Sequence, residues 1–301
     1  MLKEKFIKSY LRKKIESWAE SITDASLRKE VLNNVIVSGG SIVSLLTNEK
    51  VNDIDVYFRS KSTAKRIAEY YIKSFLIAYE MDHGKIGEVK VMDENEKVYI
   101  YIKSSGILVM NKNNAYQYFE TVESSRVDAE IEKFIEEAPG FDQNEGKYLP
   151  ICITKSAITL TDKIQLIIRF NGKPEEITKN FDFIHVKSYF DYKENKLVIP
   201  EDTSKALLVK ELIFNDSVYP LSTLFRLKKM IKRGYKVSAG QILKIALKLQ
   251  EYDLTNVSIL EDQLIGVDAA YFNELLDALK DVKKTEKLDR SYICTIIDKI
   301  F

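Results

Sequence analysis

The sequence predicts an α+β protein in which a mixed-sheet domain is followed by an all-helical domain. Three observations lead to this prediction: short β-branched apolar runs up to about residue 200, helical periodicity around them, and only helical periodicity after Pro200. The chain has 301 residues, a length typical of two domains. We therefore predict N-terminal helices over 1–34, a sheet domain over 35–200 and a helical domain over 201–301.

The composition excludes several classes of protein. Hydrophobic residues make up 45% of the chain and charged residues 30%, which is inconsistent with wholesale disorder. No apolar run is long enough to span a bilayer, and the N-terminal stretch lacks the apolar core of a secretory signal. Two cysteines, Cys152 and Cys294, are too few for a disulfide framework. These features predict a cytoplasmic protein without a membrane partner.

The first part of the chain alternates between helical and strand patterns. Residues 2–20 have one apolar face at helical spacing, and Asp24 is a suitable N-cap for a second helix over 25–34. The patterns that follow predict a strand at 35–37, a helix at 42–46, a strand at 52–58, a helix at 62–80, β structure over 87–110 and an acidic helix over 113–137.

Strand patterns return after residue 150 and end at Pro200. They predict strands over 151–161, 163–170 and 181–186, a short helix over 174–179, and a hairpin over 189–199 with Glu194 and Asn195 at its tip. Beyond Pro200, helical periodicity predicts helices at 203–214, 220–233, 238–251 and 269–281.

A glycine turn followed by two paired acids carries the strongest functional signal. The strand at 35–37 runs into Gly39, Gly40 and Ser41, and eleven residues separate Ser41 from Asp53 and the nearby Asp55. Glycines let the backbone approach a ligand closely, and a helix start favours a phosphate. Residues i and i+2 of a strand share a face, so the two carboxylates would repel each other without a cation between them. Mg²⁺ or Mn²⁺ is the natural occupant.

A two-metal site also needs a third carboxylate on a neighbouring strand, because the second metal ion must be held as well. Asp182 is the best candidate, since a lone acid in an apolar strand is costly to bury without a countercharge. The alternative is that a lysine or arginine pairs with Asp182. His185, three residues later, is interpreted as a buried side chain rather than a catalytic one.

The strand, glycine turn, helix and Asp-x-Asp strand resemble the signature of the DNA polymerase β superfamily of nucleotidyltransferases, which includes poly(A) polymerases and CCA-adding enzymes. The resemblance implies a nucleotidyltransferase sheet core with flanking helices and an insertion around 85–148. Most of 35–270 is also similar to nucleotidyltransferase-like proteins encoded by bacteriophages, which implies the host cytoplasm. The implied roles are metal binding and catalysis for Asp53, Asp55 and Asp182, and nucleoside triphosphate binding for Gly39, Gly40 and Ser41.

A basic segment follows the sheet domain. From Ser217 to Gln250 there are eight basic residues and no acid, although surface helices usually mix both signs. This segment predicts contact with a polyanion, and the alternative is an ordinary solvated face. Residues 219–235 resemble the basic helix of bacterial poly(A) polymerases and CCA-adding enzymes, but Tyr219, Ser222 and Phe225 depart from its pattern. The implied roles are nucleotide binding for Arg226 and Lys229, and RNA binding for Lys228, Lys232, Arg233 and Lys236.

The predicted function is template-independent transfer of a nucleoside monophosphate from a nucleoside triphosphate to the 3′ end of an RNA, with release of pyrophosphate. Mg²⁺ or Mn²⁺ would be the cofactor. Two alternatives stay open: the same chemistry on a protein or a small molecule, and a non-catalytic RNA-binding protein with the same fold. The sequence does not indicate an oligomeric state.

Overall fold

The computed structural model of the chain describes residues 3–83, 89–94, 97–102, 107–108, 148–264 and 287–300. The chain forms two compact units. The first consists of Met1–Thr178 and Ser188–Ile199, and the second of Lys179–Lys187 and Pro200–Phe301. Two separate segments of the chain therefore form the second unit: the short segment Lys179–Lys187 and the long segment from Pro200 onwards. No helix in the described ranges is long and apolar enough to cross a membrane.

A mixed sheet is the centre of the first unit, as the α+β prediction required. Its strand order is β10-β9-β1-β2-β8-β7-β6-β5, with β2 and β8 parallel and the other pairs antiparallel, and β3 and β4 form a separate hairpin. The strands are β1 Val35–Ser38, β2 Ile54–Phe58, β3 Val89–Glu94, β4 Lys97–Ile102, β5 Ile107–Leu108, β6 Pro150–Ile153, β7 Ala157–Leu160, β8 Ile164–Asn171, β9 Tyr189–Asp191 and β10 Lys196–Val198.

Helices accompany this sheet in the first unit, and each buries apolar side chains. The helices are α1 Glu4–Glu20, α2 Ala25–Asn34, α3 Gly40–Thr47, α4 Lys61–His83 and α5 Pro174–Lys179. In α1 the side chains of Ile7, Leu11, Ile15 and Trp18 are fully buried, and the Trp18 indole N–H donates a hydrogen bond to the Tyr71 hydroxyl of α4 at 2.8 Å. The Asp24 carboxylate accepts from the Leu27 N–H at 3.0 Å, so the predicted N-cap of α2 is confirmed.

The second unit is helical in its described part. Its helices are α6 Glu201–Val209, α7 Pro220–Lys232, α8 Ala239–Leu249, α9 Val257–Gln263 and α10 Arg290–Ile300. One hydrophobic cluster joins Leu221 of α7 to Leu260 of α9 and Ile293 of α10. A second cluster surrounds Ile245 of α8 and includes Phe183 from the short segment. The described residues after Pro200 make only isolated β-bridges, which agrees with the predicted helical domain.

Three predicted elements differ from the structure, and others lie outside its described residues. The strand predicted over 151–161 is in fact two antiparallel strands, β6 and β7. The helix predicted over 203–214 ends at Val209, because Lys210 adopts a left-handed conformation with φ of 49°. The strand predicted over 181–186 is absent, for reasons given with the site below. The predicted helices at 113–137 and 269–281 lie outside the described residues, as does most of the proposed insertion over 85–148.

Candidate functional site

The glycine turn between β1 and α3 has a backbone conformation that requires glycine. All four residues of β1 are buried, and Gly39 follows with φ of 94°, in the left-handed region that other residues rarely adopt. A Cβ atom on Gly39 would lie 2.9 Å from Oδ2 of Asp55, whereas a Cβ on Gly40 would meet nothing within 4 Å. The Asp55 carboxylate therefore packs directly against the backbone of the turn.

Ser41 supplies a polar atom that the described part of the protein does not use. It lies in the first turn of α3 and is only 2% exposed. Its Oγ is buried, and no hydrogen-bond partner is found for it among the described residues. A buried hydroxyl without a partner loses its hydrogen bonds to water, so such groups are rare and often mark a ligand site. No described side chain caps α3 either, and the N–H groups of its first turn suit an anionic ligand.

The two paired acids lie at the start of β2. Ile54, Val56 and Phe58 are buried on one face of the strand, and the half-buried Asp55 lies on the other. Asp53 immediately precedes the strand and is also half-buried. The signature therefore falls on a strand, a turn, a helix and a second strand, in the order that the sequence predicted.

These residues fit a divalent cation with a bound phosphate. The donors are hard carboxylate oxygens, the turn leaves room that a Cβ would fill, and the buried Ser41 hydroxyl lies in the same turn. Among the residues that the structure describes, no three His, Cys, Asp or Glu side chains gather closely enough to hold a metal ion. In the first unit, the candidate ligands among the described residues are the carboxylates of Asp53 and Asp55.

Asp182 has different surroundings from those that the sequence predicted. It belongs to the second unit, is 8% exposed, accepts a hydrogen bond from the Ser217 hydroxyl at 3.0 Å and forms an ion pair with Arg226. Ser217 is held in turn by the Thr223 hydroxyl, 2.9 Å away. The structure thus contains the alternative arrangement, in which a basic side chain, Arg226, pairs with Asp182. Metal binding by Asp182 stays a prediction.

The strand prediction around Asp182 was wrong. Asp182 lies in a bend, Phe183 makes a single β-bridge to Phe214, and Ile184–Val186 form a 3₁₀ turn. The Asn215 side chain donates to the carbonyl oxygens of Lys179 and Phe181, at 2.7 and 3.0 Å, in place of a strand partner. The alternation of apolar residues over 181–186 therefore does not form a strand. It places Phe183 in the hydrophobic cluster around Ile245.

The predicted nucleotide-binding and RNA-binding residues lie on and after α7. Arg226 and Lys229 are half-buried, and the guanidinium of Arg226 contacts Asp182. Lys228 and Lys232 are exposed on the helix, Arg233 ends it, and Lys236 is exposed beyond the left-handed Gly234. Three of the four predicted RNA-binding residues are therefore exposed to solvent.

The solvent face of α8, which continues the basic segment, exposes large aliphatic side chains together with Lys244. Ile242, Leu243 and Leu247 are 45%, 59% and 53% exposed. Lys248 forms ion pairs with Asp216 and Glu251, both outside the acid-free segment. Contact of the basic segment with a polyanion stays a prediction, and the exposed aliphatic side chains of α8 are not part of it.

His185 is a buried titratable side chain outside the glycine turn. His185 is fully buried, as predicted, and its ring centroid lies 4.8 Å from that of Tyr235 with the ring planes tilted by 38°. A core histidine with satisfied nitrogens was expected, but neither ring nitrogen has a hydrogen-bond partner among the described residues. Burial, and secondly the charge of Arg233, lower its pKa to about 4.

A cavity of about 490 Å³ in the first unit is lined by Arg59 and Asp191, which form an ion pair, and by neighbouring residues. None of the glycine-turn residues lines this cavity.

Sequence reasoning missed two residues that the structure places beside the predicted acids. Ser217 holds Asp182 from 35 positions away, and Gln165 of β8 pairs in register with Asp55 of β2. Gln165 belongs to an alternating strand pattern, which shows that it faces away from Ile164 and Leu166. Nothing in that pattern indicates which strand lies next to it.

Comparison with known proteins gives matches at low identity. The chain is 11% identical to the Thermotoga maritima CCA-adding enzyme complexed with tRNA, over 90% of this chain and 55% of that one, with a TM-score of 0.36. It is 10% identical to the Bacillus stearothermophilus CCA-adding enzyme in complex with CTP, over 81% and 47% of the two chains, with a TM-score of 0.34.

A curated relative and a family model extend these matches. The relative, Gabija anti-defense 2 of Bacillus phage SPbetaL7, is 23% identical over 251 residues, which are 83% of this chain and 46% of the relative. The chain thus spans about half the length of the curated relative. The family model described as Gabija anti-defense 2 family protein matches residues 9–210, well over half of the chain. The chain therefore belongs to the Gabija anti-defense 2 family.

Proposed function

We propose that this protein counters the Gabija defence by transferring a nucleoside monophosphate from a nucleoside triphosphate to an acceptor. The observation that carries the proposal is the packing of the Asp55 carboxylate against the left-handed Gly39, with the buried Ser41 hydroxyl in the same turn. The name of the phage relative supports the biological role. Because that relative is phage-encoded, we expect the reaction to occur in the cytoplasm of the infected cell.

In the proposed reaction an acceptor hydroxyl oxygen forms a bond to the α-phosphorus of the triphosphate. The bond from that phosphorus to its bridging oxygen breaks, pyrophosphate leaves, and the hydroxyl proton passes to solvent. The N–H groups at the start of α3 and the Ser41 hydroxyl donate hydrogen bonds to triphosphate oxygens. Asp53 and Asp55 would hold Mg²⁺ or Mn²⁺, and the bound ion would supply charge neutralisation and acidify the attacking hydroxyl. Catalysis rests mainly on positioning and electrostatics.

Asp182 has a structural role in this proposal. Its carboxylate is the countercharge of Arg226 and the acceptor for Ser217, and these contacts attach the short segment to α7. Nucleotide binding by Arg226 and Lys229, which lie three residues apart on α7, stays part of the proposal.

The 3′ end of an RNA is the acceptor that we propose first. Lys228, Lys232 and Lys236 are exposed in a segment without acids, and such side chains supply most phosphate contacts. A protein acceptor is the second candidate, because the exposed aliphatic face of α8 suits a protein better than an RNA backbone. Both candidates use the same two carboxylates.

A transfer assay tests the activity. The full chain would be incubated with Mg²⁺ and each α-labelled triphosphate, together with either a short RNA or the proteins of the Gabija defence. We expect pyrophosphate release and label transfer to one acceptor class. Asp53→Asn and Asp55→Asn should lower the rate by at least about a hundredfold, because one of the two cation ligands is lost. Retention of near-normal turnover in both variants would contradict the proposal.

An infection assay tests the biological role. Bacteria that carry the Gabija defence would express the protein or the Asp55→Asn variant before phage challenge. We expect plaques to be restored by the unchanged protein and not by the variant, at equal levels of folded protein. Full restoration by the variant would show that anti-defence activity does not need the site, as in a non-catalytic binding protein.

A further inference from the structure

A row of polar side chains crosses three strands of the first unit, beginning at Asp55. Asp55 of β2 pairs in register with Gln165 of β8, and Gln165 pairs with Thr159 of β7. Residues that pair in register on neighbouring strands lie on the same face of a sheet. Gln165 is half-buried between the other two, and its neighbours along β8, Ile164 and Leu166, are fully buried on the opposite face.

The carboxamide of Gln165 is fixed by its hydrogen bond to β7. Its Nε2 donates to the Thr159 hydroxyl oxygen at 3.3 Å, and Thr159 is buried. Because β8 lies between β7 and β2, an amide nitrogen directed to β7 leaves the carbonyl oxygen of the same planar group on the side of β2. On this geometry Oε1 faces β2, where Asp55 is the register partner of Gln165.

The charge balance of the site favours a neutral oxygen at this position. The described residues contain no third acid, cysteine or histidine clustered with Asp53 and Asp55. Two carboxylates neutralise one divalent cation, and a third would add repulsion that a bound triphosphate increases further. An amide oxygen is a normal ligand of hard cations and adds no charge.

We propose that Gln165 Oε1 is a third, neutral oxygen of the divalent-cation site, held in place by Thr159. This inference rests on the proposed function, because it takes Asp53 and Asp55 as the charged ligands. Its consequence is that the cation binds weakly to the protein alone and more tightly with the triphosphate, whose oxygens supply the remaining negative charge.

Binding of Mn²⁺ to the full chain, measured by calorimetry with and without a non-hydrolysable triphosphate, tests this inference. Gln165→Glu should tighten Mn²⁺ binding without nucleotide by about tenfold, because it adds a carboxylate beside Asp55. Gln165→Leu should weaken binding in the presence of the triphosphate by about tenfold. Thr159→Val, which releases the amide, should cause a smaller loss. Gln250→Glu, the same charge change at an exposed residue after α8, should leave both affinities unchanged.

The variants separate failure of this inference from failure of the proposed function. If Asp55→Asn abolishes Mn²⁺ binding while Gln165→Glu and Gln165→Leu both bind like the unchanged protein, the role of Gln165 is overturned and the site stands. If Asp55→Asn also binds normally, the site itself is wrong. Thermal unfolding of each variant verifies folding, and Gln165→Ala replaces either Gln165 variant that fails to fold.

Discussion

The two units each contain acids that look like metal ligands in the sequence, but the surroundings of these acids are opposite. In the first unit the half-buried Asp55 packs its carboxylate against the backbone of Gly39. In the second unit Asp182 is buried and holds Arg226 and Ser217. An acid among apolar residues needs a positive partner in either case. For Asp182 that partner is a side chain of the same unit, whereas for Asp55 we propose a bound cation.

The largest expected contrast between the units is in stability. Asp182→Asn should lower the free energy of unfolding by about 2 kcal/mol, because it removes the countercharge of a partly buried Arg226. Asp55→Asn should lower it by less than about 1 kcal/mol, because the half-buried Asp55 carboxylate stays partly hydrated in the folded protein. Urea unfolding of both variants measures the difference. Equal free energies of unfolding would remove the distinction between the two acids.

The glycine turn gives the next largest effect. Gly39→Ala should cost about 1–2 kcal/mol because φ is 94°, and its Cβ would displace the Asp55 carboxylate, so transfer activity should also fall. Gly40→Ala is the matched control, because its Cβ meets nothing within 4 Å and α3 begins there. We expect near-normal stability for the control, and stability is the property compared because Gly40 itself belongs to the proposed nucleotide-binding turn. The same loss in both variants would indicate a general intolerance of the turn.

Ser41 provides a smaller test in the same turn. Ser41→Ala removes a buried hydroxyl that has no partner among the described residues, so stability should be unchanged or slightly higher. Affinity for a nucleoside triphosphate should fall by about fivefold, because one hydrogen bond to the ligand is lost. Equilibrium binding of a fluorescent triphosphate measures this change. Unaltered affinity together with a large loss of stability would indicate a structural hydroxyl.

The smallest effect at mild pH comes from His185 in the second unit. Its pKa is lowered from 6.5 to about 4, chiefly by burial, so the unfolded chain binds the proton first as pH falls. Stability is therefore complete above pH 6.5 and is lost progressively as pH falls towards 4. Between pH 7.5 and 6 the loss should be under about 1 kcal/mol. His185→Phe should reduce this pH dependence, and an unchanged dependence would assign it to other groups.

Local patterns were enough to predict most elements of the first unit. The apolar face of α1, the Asp24 cap and the order of strand, turn, helix and strand around Gly39 all depend on residues near one another in the sequence. The hairpin of β9 and β10 was also predicted, and Asn195 at its tip has the left-handed conformation typical of such turns.

Long-range pairing explains what the sequence did not reveal. The alternation around Phe183 resembles a strand, yet its partners are the cluster around Ile245 and the side chain of Asn215. Likewise, the position of Gln165 beside Asp55 follows from the parallel pairing of β2 and β8. Spacing along a single sequence does not specify which strands become neighbours.

Because the second unit is formed by two separate segments of the chain, its parts leave the ribosome at different times during synthesis. The segment Lys179–Lys187 emerges before the rest of its unit, and Arg226 follows Asp182 only 44 residues later. Strands β9 and β10 emerge in between and can complete the sheet while Asp182 still lacks its countercharge. A fragment that stops at residue 199 would therefore leave a nine-residue loop without its partners. Replacing that loop with a short linker is the better route to the first unit alone.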